Sequence, residues 1–193
     1  MAETYFTDET FLSKSFSDNP IAKGEYENCT FKGCDFSNAD LTGVKFFETT
    51  FVDCNLSNAR ISNASFQDVT FRNCKMLGMP FEKCNSFGFA VSFDGCQLSH
   101  ASFYKMKLNR SSFTSSQLHG VDFIEAELKS TTLRHCDLLD AIFEDTNLEN
   151  ADLRNAINYS IDPETNNVKG ARFSLPEVIR LLAKYSIKID PAE

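Results

Sequence analysis

A large apolar residue stands at every fifth position along most of this chain. Phe31, Phe36, Leu41, Phe46, Phe51, Leu56, Ile61, Phe66, Phe71, Met76 and Phe81 keep that spacing without a miss. Tyr26, Ile21, Phe16, Phe11 and Phe6 extend it backwards in the same phase. A second run, from Phe93, Leu98, Phe103 and Leu108 through Phe123 and Phe143 to Leu153, has the same period. A helix repeats near 3.6 residues and a strand near 2, so neither accounts for a five. A short fixed period held over this length predicts a solenoid.

The position two before each centre repeats as well. It holds Cys29, Cys34, Ala39, Val44, Thr49, Cys54, Ala59 and Ala64 in the first run, and Cys96, Ala101, Val121, Ala126, Cys136 and Ala151 in the second. These small residues read as a second inward position beside a bulky one. The other three positions of each five are mostly Asn, Asp, Ser, Thr, Lys, Glu and Gly, which suits a coil that turns a corner in every unit.

Three units, Ala39-Asp40-Leu41-Thr42-Gly43, Cys54-Asn55-Leu56-Ser57-Asn58 and Ala151-Asp152-Leu153-Arg154-Asn155, show the pattern most fully. With them the chain resembles the pentapeptide-repeat family. The likeness covers residues 24–157 and, more loosely, 4–23. It implies an all-β solenoid, a right-handed quadrilateral β-helix with four units per coil. If coils stack like paired strands, about seven of them make a rod roughly 34 Å long. Residues twenty apart should then form columns: Tyr26, Phe46 and Phe66; Phe31, Phe51 and Phe71; Phe103, Phe123 and Phe143. Like residues in a column fill a narrow interior densely.

The rod is expected over residues 1–157, with a register break at 82–92, where Phe81 and Phe93 stand twelve apart instead of ten. Phe87 and Phe89 are out of phase there. Either the break is a bulge with one of these rings covering the core, or it is a small contact site on one face.

Residues 158–193 are expected to form a connection and a short capping and dimerisation helix. Asp162-Pro163 reads as a breaker, and Ser174-Leu175-Pro176-Glu177 as a capping box. Val178, Ile179, Leu182 and Tyr185 share one helical face, with Leu181 off it. Ile187 and Ile189 read as a last short strand. An open rod end exposes unpaired backbone, so this segment is expected to close it. The apolar face beyond that need is expected to pair two copies about a two-fold axis.

All seven cysteines fit the small inward position, so they read as buried small apolar side chains rather than disulfides or metal ligands. No metal or cofactor is expected. His100, His119 and His135 fall on outward positions without a shared nucleophile and carboxylate, and no phosphate loop or nucleophile elbow is present. An enzyme is therefore not expected. With no leader or membrane-spanning stretch in the sequence, a reducing, cytoplasmic location is expected.

Charge is uneven along the rod. The chain carries a formal net charge of −8. Residues 121–154 hold nine acids, Asp122, Glu125, Glu127, Asp137, Asp140, Glu144, Asp145, Glu149 and Asp152, against Lys129, Arg134 and Arg154, a net of −6. Residues 95–120 hold only Lys105, Lys107 and Arg110 as charged groups, a net of +3. The acidic stretch reads either as a solvated surface or as carboxylates arrayed to stand in for the phosphates of DNA. Such a rod, lacking a basic stripe, is a poor binder of nucleic acid itself.

Cys74-Lys75-Met76-Leu77-Gly78, Ser92-Phe93-Asp94-Gly95-Cys96, Asn158-Tyr159-Ser160-Ile161-Asp162 and Ala171-Arg172-Phe173-Ser174-Leu175-Pro176-Glu177 sharpen the resemblance. They are similar to the subgroup of the family that protects type II topoisomerases, above all its albicidin-resistance members and more distantly its quinolone-resistance and microcin-immunity members. That resemblance implies a dimer joined at its C-terminal ends that mimics DNA and binds DNA gyrase or topoisomerase IV. The quinolone-resistance members carry sizeable projecting loops, for which this continuous pattern has no room. Albicidin-like or other peptide toxins therefore suit it better. The rival reading is a cytoplasmic scaffold or interaction rod unrelated to topoisomerases.

Overall fold

The structure, a computed structural model, describes residues 4–190. The outermost three residues of each expected segment, 1–3 and 191–193, lie outside the described residues. A five-residue unit is too short for a regular strand and a turn, so strands here have three or four residues each. They are β1 (Thr4–Thr7), β2 (Thr10–Leu12), β3 (Gly24–Glu27), β4 (Thr30–Lys32), β5 (Lys45–Phe47), β6 (Thr50–Val52), β7 (Ser65–Gln67), β8 (Val69–Arg72), β9 (Val91–Asp94) and β10 (Ser112–Thr114). They form two parallel sheets, ordered β1-β3-β5-β7 and β10-β9-β8-β6-β4-β2. Single parallel bridges such as Asp35↔Asn55 and Lys107↔Glu127 continue the ladder on the remaining faces. This is an all-parallel β-solenoid, as the period predicted.

The columns are present. Tyr26 stacks on Phe46 and Phe46 on Phe66, with ring centroids 5.5 and 5.4 Å apart. Phe31–Phe51 and Phe51–Phe71 stack at 5.0 Å each. Phe103–Phe123 and Phe123–Phe143 follow at 5.5 and 5.2 Å. Nearly every centre from Ile21 to Leu153 is buried. Each large apolar side chain removed from water contributes about 1.5–3 kcal/mol.

The small inward position has a second role that its size alone did not reveal. Its hydroxyl or thiol bonds a backbone carbonyl of the preceding coil. Thr49 Oγ1 donates to Tyr26 O at 3.0 Å, Thr146 Oγ1 to Phe123 O at 2.8 Å and Cys54 Sγ to Phe31 O at 3.3 Å. Cys, Ser and Thr there satisfy buried acceptors that Ala leaves to the ladder alone.

The corners are left-handed. Asn38, Asp53, Asn58, Asn63 and Asn73 all have φ between 52° and 57°, and the same position in other units holds Gly43 and Gly78. Asn, Asp and Gly tolerate this conformation best, which explains their recurrence.

At the break the strand register shifts from twenty to twenty-two: Val52 pairs with Arg72, but Val69 pairs with Val91. The extra residues fall in 82–90, after a 3-10 turn at Phe81–Lys83. Phe89 packs edge-on against Phe66 and Phe81, at 6.5 and 6.2 Å. Phe87 is 79% exposed. So Phe89 covers the core and Phe87 protrudes. Cys84 is only half-buried, less enclosed than the other six.

Parallel bridges Asn147↔Asn167 and Asp152↔Arg172 carry the ladder past residue 157. The chain then closes with a nine-residue 3-10 helix, Glu177–Tyr185. Three expectations fail here. The Ser174–Glu177 capping box does not form: Ser174 Oγ accepts the Asn155 N–H at 3.2 Å, and Glu177 is drawn to Arg180. Ile187 and Ile189 are exposed and form no strand. Leu181 is partly buried against the core, as Val168, Ala171 and Phe173 are, because the tighter winding turns its side chain inward.

Candidate protein-interaction face

The ladder decides which of the nine acids are available. Glu149 is held by Lys129 (Nζ to Oε2, 2.9 Å) and Asp152 by Arg154 (2.6 Å), and these hydrogen bonds lower both carboxyl pKa values. Glu127 accepts the Asn147 side-chain amide at 2.7 Å, one coil away. Asp137 lies between His119 (2.8 Å) and the Asn158 amide (2.8 Å). Partial burial raises the Asp137 pKa, and those two partners outweigh it, for a net lowering. Glu125 takes the Tyr104 hydroxyl (3.3 Å) and Lys105 (3.2 Å). Asp122 caps its own turn through the Ile124 N–H at 2.8 Å.

Asp140, Glu144 and Asp145 remain. Among the described residues none of the three makes an ion pair or side-chain hydrogen bond, and all are exposed. Asp140 and Asp145 occupy left-handed corners, φ 58° and 51°. The carbonyls just before them, Leu139 O and Glu144 O, accept the Gly120 and Glu125 N–H groups of the preceding coil at 2.8 Å each, so the ladder on that side sets the spacing of these corners.

The corner that carries Glu144 and Asp145 and the face after it change sign along the rod. Lys107 bridges to Glu127 and Glu127 to Asn147. Lys105 lies under Glu125, and Asp145 follows twenty residues on. Basic groups thus sit beside the register break, and unpartnered acids lie two coils towards the C-terminal end, roughly 10 Å away.

The four residues expected at a dimer face do not behave alike. Val178 is half-buried, whereas Ile179, Leu182 and Tyr185 are 40, 41 and 52% exposed. Tyr185 also donates its hydroxyl to Glu164 at 2.6 Å within the chain. Leu175, Ile187 and Ile189 extend the exposed apolar area at this end. A clamp missed in the sequence holds the helix down: Lys184 reaches Asp162 at 2.7 Å and Glu164 at 2.6 Å. Its ammonium lowers both carboxyl pKa values. The only signal was a cation placed at the end of the helical stretch. Among the described residues no group of three or more His, Cys, Asp or Glu is placed to hold a metal ion. No helix among them is long and apolar enough to cross a membrane.

A family model for the pentapeptide repeat region matches residues 25–87 and 89–161. The chain belongs to the pentapeptide-repeat family. The unmatched residue between the two spans, Gly88, lies in the register break. Two trypsin-treated variants of QnrB1, a plasmid-mediated fluoroquinolone resistance protein, have similar solved structures. One has a TM-score of 0.66 at 20% identity, covering 97% of this chain and 98% of that one. The other has a TM-score of 0.71 at 19% identity, covering 97% and 92%. At that identity the likeness shows the pentapeptide-repeat fold alone. No curated protein matches the sequence.

Proposed function

We propose that this rod binds a type II topoisomerase, DNA gyrase or topoisomerase IV, in place of DNA and thereby protects the enzyme from a toxin. The observation that carries the reading is the set Asp140, Glu144 and Asp145: unpartnered carboxylates held at fixed spacing on a stiff scaffold. A groove built for phosphates, one per roughly 1.7 Å of duplex axis, accepts such an array in their place. The resemblance to topoisomerase-protecting members supports the same partner, as does the likeness to a fluoroquinolone resistance protein. Two copies joined through Ile179, Leu182 and Tyr185 would double the acidic field across the middle of a longer rod. Val178 contributes from its half-buried position. The reading places the protein in the cytoplasm, without direct binding to nucleic acid or membrane.

A gyrase supercoiling assay, with and without albicidin or a quinolone, tests it. Rescue or inhibition by the wild type, lost when Asp140, Glu144 and Asp145 are all changed to Lys, supports the reading. No effect of the wild type at about 10 µM, a concentration well above a typical specific Kd, overturns it. The exposed Phe87 favours a second reading, a scaffold rod unrelated to topoisomerases; its contacts would tolerate salt, whereas the acidic contact weakens steeply with it.

A further inference from the structure

The outward positions of the solenoid are polar almost throughout, with one exception near its C-terminal end. Between residues 13 and 138 only Phe87 and Tyr104 are large apolar side chains open to solvent among the described residues. Leu139, Ile142 and Ile157 then follow, 44, 47 and 43% exposed. The fold does not ask for them. One coil earlier the same columns hold His119, Asp122 and Asp137, the last two bridged directly to Ile142 and Ile157. The backbone bonds of these sites, Ile142 N–H to Val121 O and Ile157 N–H to Cys136 O at 2.9 Å each, form whatever the side chain. Leu139 and Ile142 flank the left-handed corner at Asp140 (φ 58°), and Ile157 is bridged to Asp137, two residues before Leu139. Apolar side chains gathered in this way on a polar surface mark a contact.

The charge around them has one sign. The two faces that meet at the Asp140 corner are built, in three successive coils, from residues 116–125, 136–145 and 156–165. These segments hold eight acids and no Lys or Arg. The cations that reach them from elsewhere are already engaged: Lys105 by Glu125, Lys184 by Asp162 and Glu164, and Arg180 by Glu177. His119 faces Asp137 at 2.8 Å, and Arg134, on the neighbouring face, acts with Arg154 on Asp152. Asp140 and Glu144, beside the apolar residues, have no cation among the described residues.

We propose that Leu139, Ile142 and Ile157 form a docking site for a cationic, apolar-bearing segment of a partner protein. Apolar side chains of the segment cover the three residues, and its Lys or Arg groups meet Asp140 and Glu144. The sign of the charge chooses this occupant. A second copy paired through the same patch would set Asp140 against Asp140, and a phosphate backbone would be repelled. Carboxylates standing in for DNA phosphates need no apolar neighbours, so the patch adds a contact that charge mimicry alone does not supply. Asp140 and Glu144 are shared with the proposed topoisomerase contact; the three apolar residues are not, and the docking site does not depend on the partner being a topoisomerase.

A fluorescein-labelled peptide of alternating lysine and leucine is the probe. Oligolysine of equal charge and a peptide of alternating glutamate and leucine stand beside it, all read by fluorescence anisotropy. At about 0.3 M salt, where exposed charges are screened, the lysine–leucine peptide is expected to bind the wild type at least about tenfold more tightly than oligolysine. Leu139→Ser with Ile142→Ser and Ile157→Ser should erase that advantage and leave oligolysine binding unchanged. All three residues are exposed; circular dichroism checks the fold of the variant and light scattering its mass. No advantage of the lysine–leucine peptide on the wild type, an advantage kept by the triple variant, equal binding of the glutamate–leucine peptide, or a changed mass that puts the patch between two copies overturns the proposal. No topoisomerase enters the assay, so a rod without effect on gyrase can pass it and a rod that acts on gyrase can fail it.

Discussion

Phe71 and Phe93 stack with ring centroids 5.2 Å apart and planes 10° apart, although twenty-two residues rather than twenty separate them. Phe81 and Phe103 do the same at 4.7 Å. The interior therefore passes through the break without interruption, and the two additional residues are absorbed at the surface by 82–90. That division predicts opposite costs for two neighbouring rings. Phe89→Ala should destabilise the rod by about 2 kcal/mol, less than a fully buried Phe because the site is half open. Phe87→Ala should change stability by no more than about 0.5 kcal/mol. Chemical denaturation measures both, and equal losses would refute the assignment of Phe89 as the ring that covers the core.

Phe51 is a sharper test of the inward columns. It is fully buried between Phe31 and Phe71. Phe51→Ala should cost about 3–5 kcal/mol. Phe51→Lys should prevent folding, since a buried ammonium there has no carboxylate within reach. A Lys variant with native circular dichroism and an unchanged denaturation midpoint would contradict the column.

Most of the fold was legible because a solenoid repeats one local decision many times. Phe31, Phe51 and Phe71 each report the same slot, so the period outweighs any single exception. Cys54 and Thr49 were read correctly as inward, but their bonds to carbonyls of the preceding coil depend on the stacking and could not be seen in one unit. The C-terminal end repeats nothing. There the Ser174–Glu177 motif matched a capping box, yet tertiary contacts to Asn155 and Arg180 won over the local pattern, and Leu181 turned inward because a 3-10 helix does not keep the α-helical face. The acidic stretch was legible as nine charges. Which of them are free was not, because their partners lie a coil away: Lys129 for Glu149, Asn147 for Glu127, His119 for Asp137.

That sorting gives a prediction within the proposed function. Reversing Asp140, Glu144 and Asp145 to Lys should abolish any effect on gyrase supercoiling while leaving the melting temperature within a few degrees, because none of the three side chains makes an ion pair or hydrogen bond among the described residues and Lys105 and Arg110 already hold the same left-handed corner. Neutralising the engaged pair Glu149→Gln and Asp152→Asn should have a smaller effect on the enzyme. Raising salt from about 0.05 to 0.3 M should weaken the wild-type effect steeply, as screening shortens the reach of exposed charges. Equal loss from both sets of variants would mean that net charge alone, rather than these three positions, governs binding.

Leu182 tests the proposed dimer. It is 41% exposed, does not belong to the core, and stands beside Ile179 and Tyr185. Leu182→Glu should give monomers in light scattering with an intact fold, since the side chain already reaches solvent. Leu181→Glu should instead loosen the closure of the rod, because that residue is partly buried against the core. If the Leu182 variant keeps the mass of the wild type, the helix serves only to close the rod.

The clamp on that helix titrates. Asp162 and Glu164 have pKa values lowered by their hydrogen bonds to Lys184, so each binds its proton less readily folded than unfolded. The sign follows: their stabilisation is present above the ordinary carboxylate values near 4 and is lost as pH falls through the lower folded values. Lys184→Ala removes the partner and should erase this dependence. The melting-temperature difference between wild type and Lys184→Ala should therefore be largest near neutral pH, where both carboxylates are ionised, and shrink below about pH 4. Because the groups are exposed, the difference should also be small and fall with added salt. A difference that stays constant down to about pH 2 would show that Lys184 acts through its packing over the Tyr185 ring, 5.1 Å from its centroid, rather than through the two carboxylates.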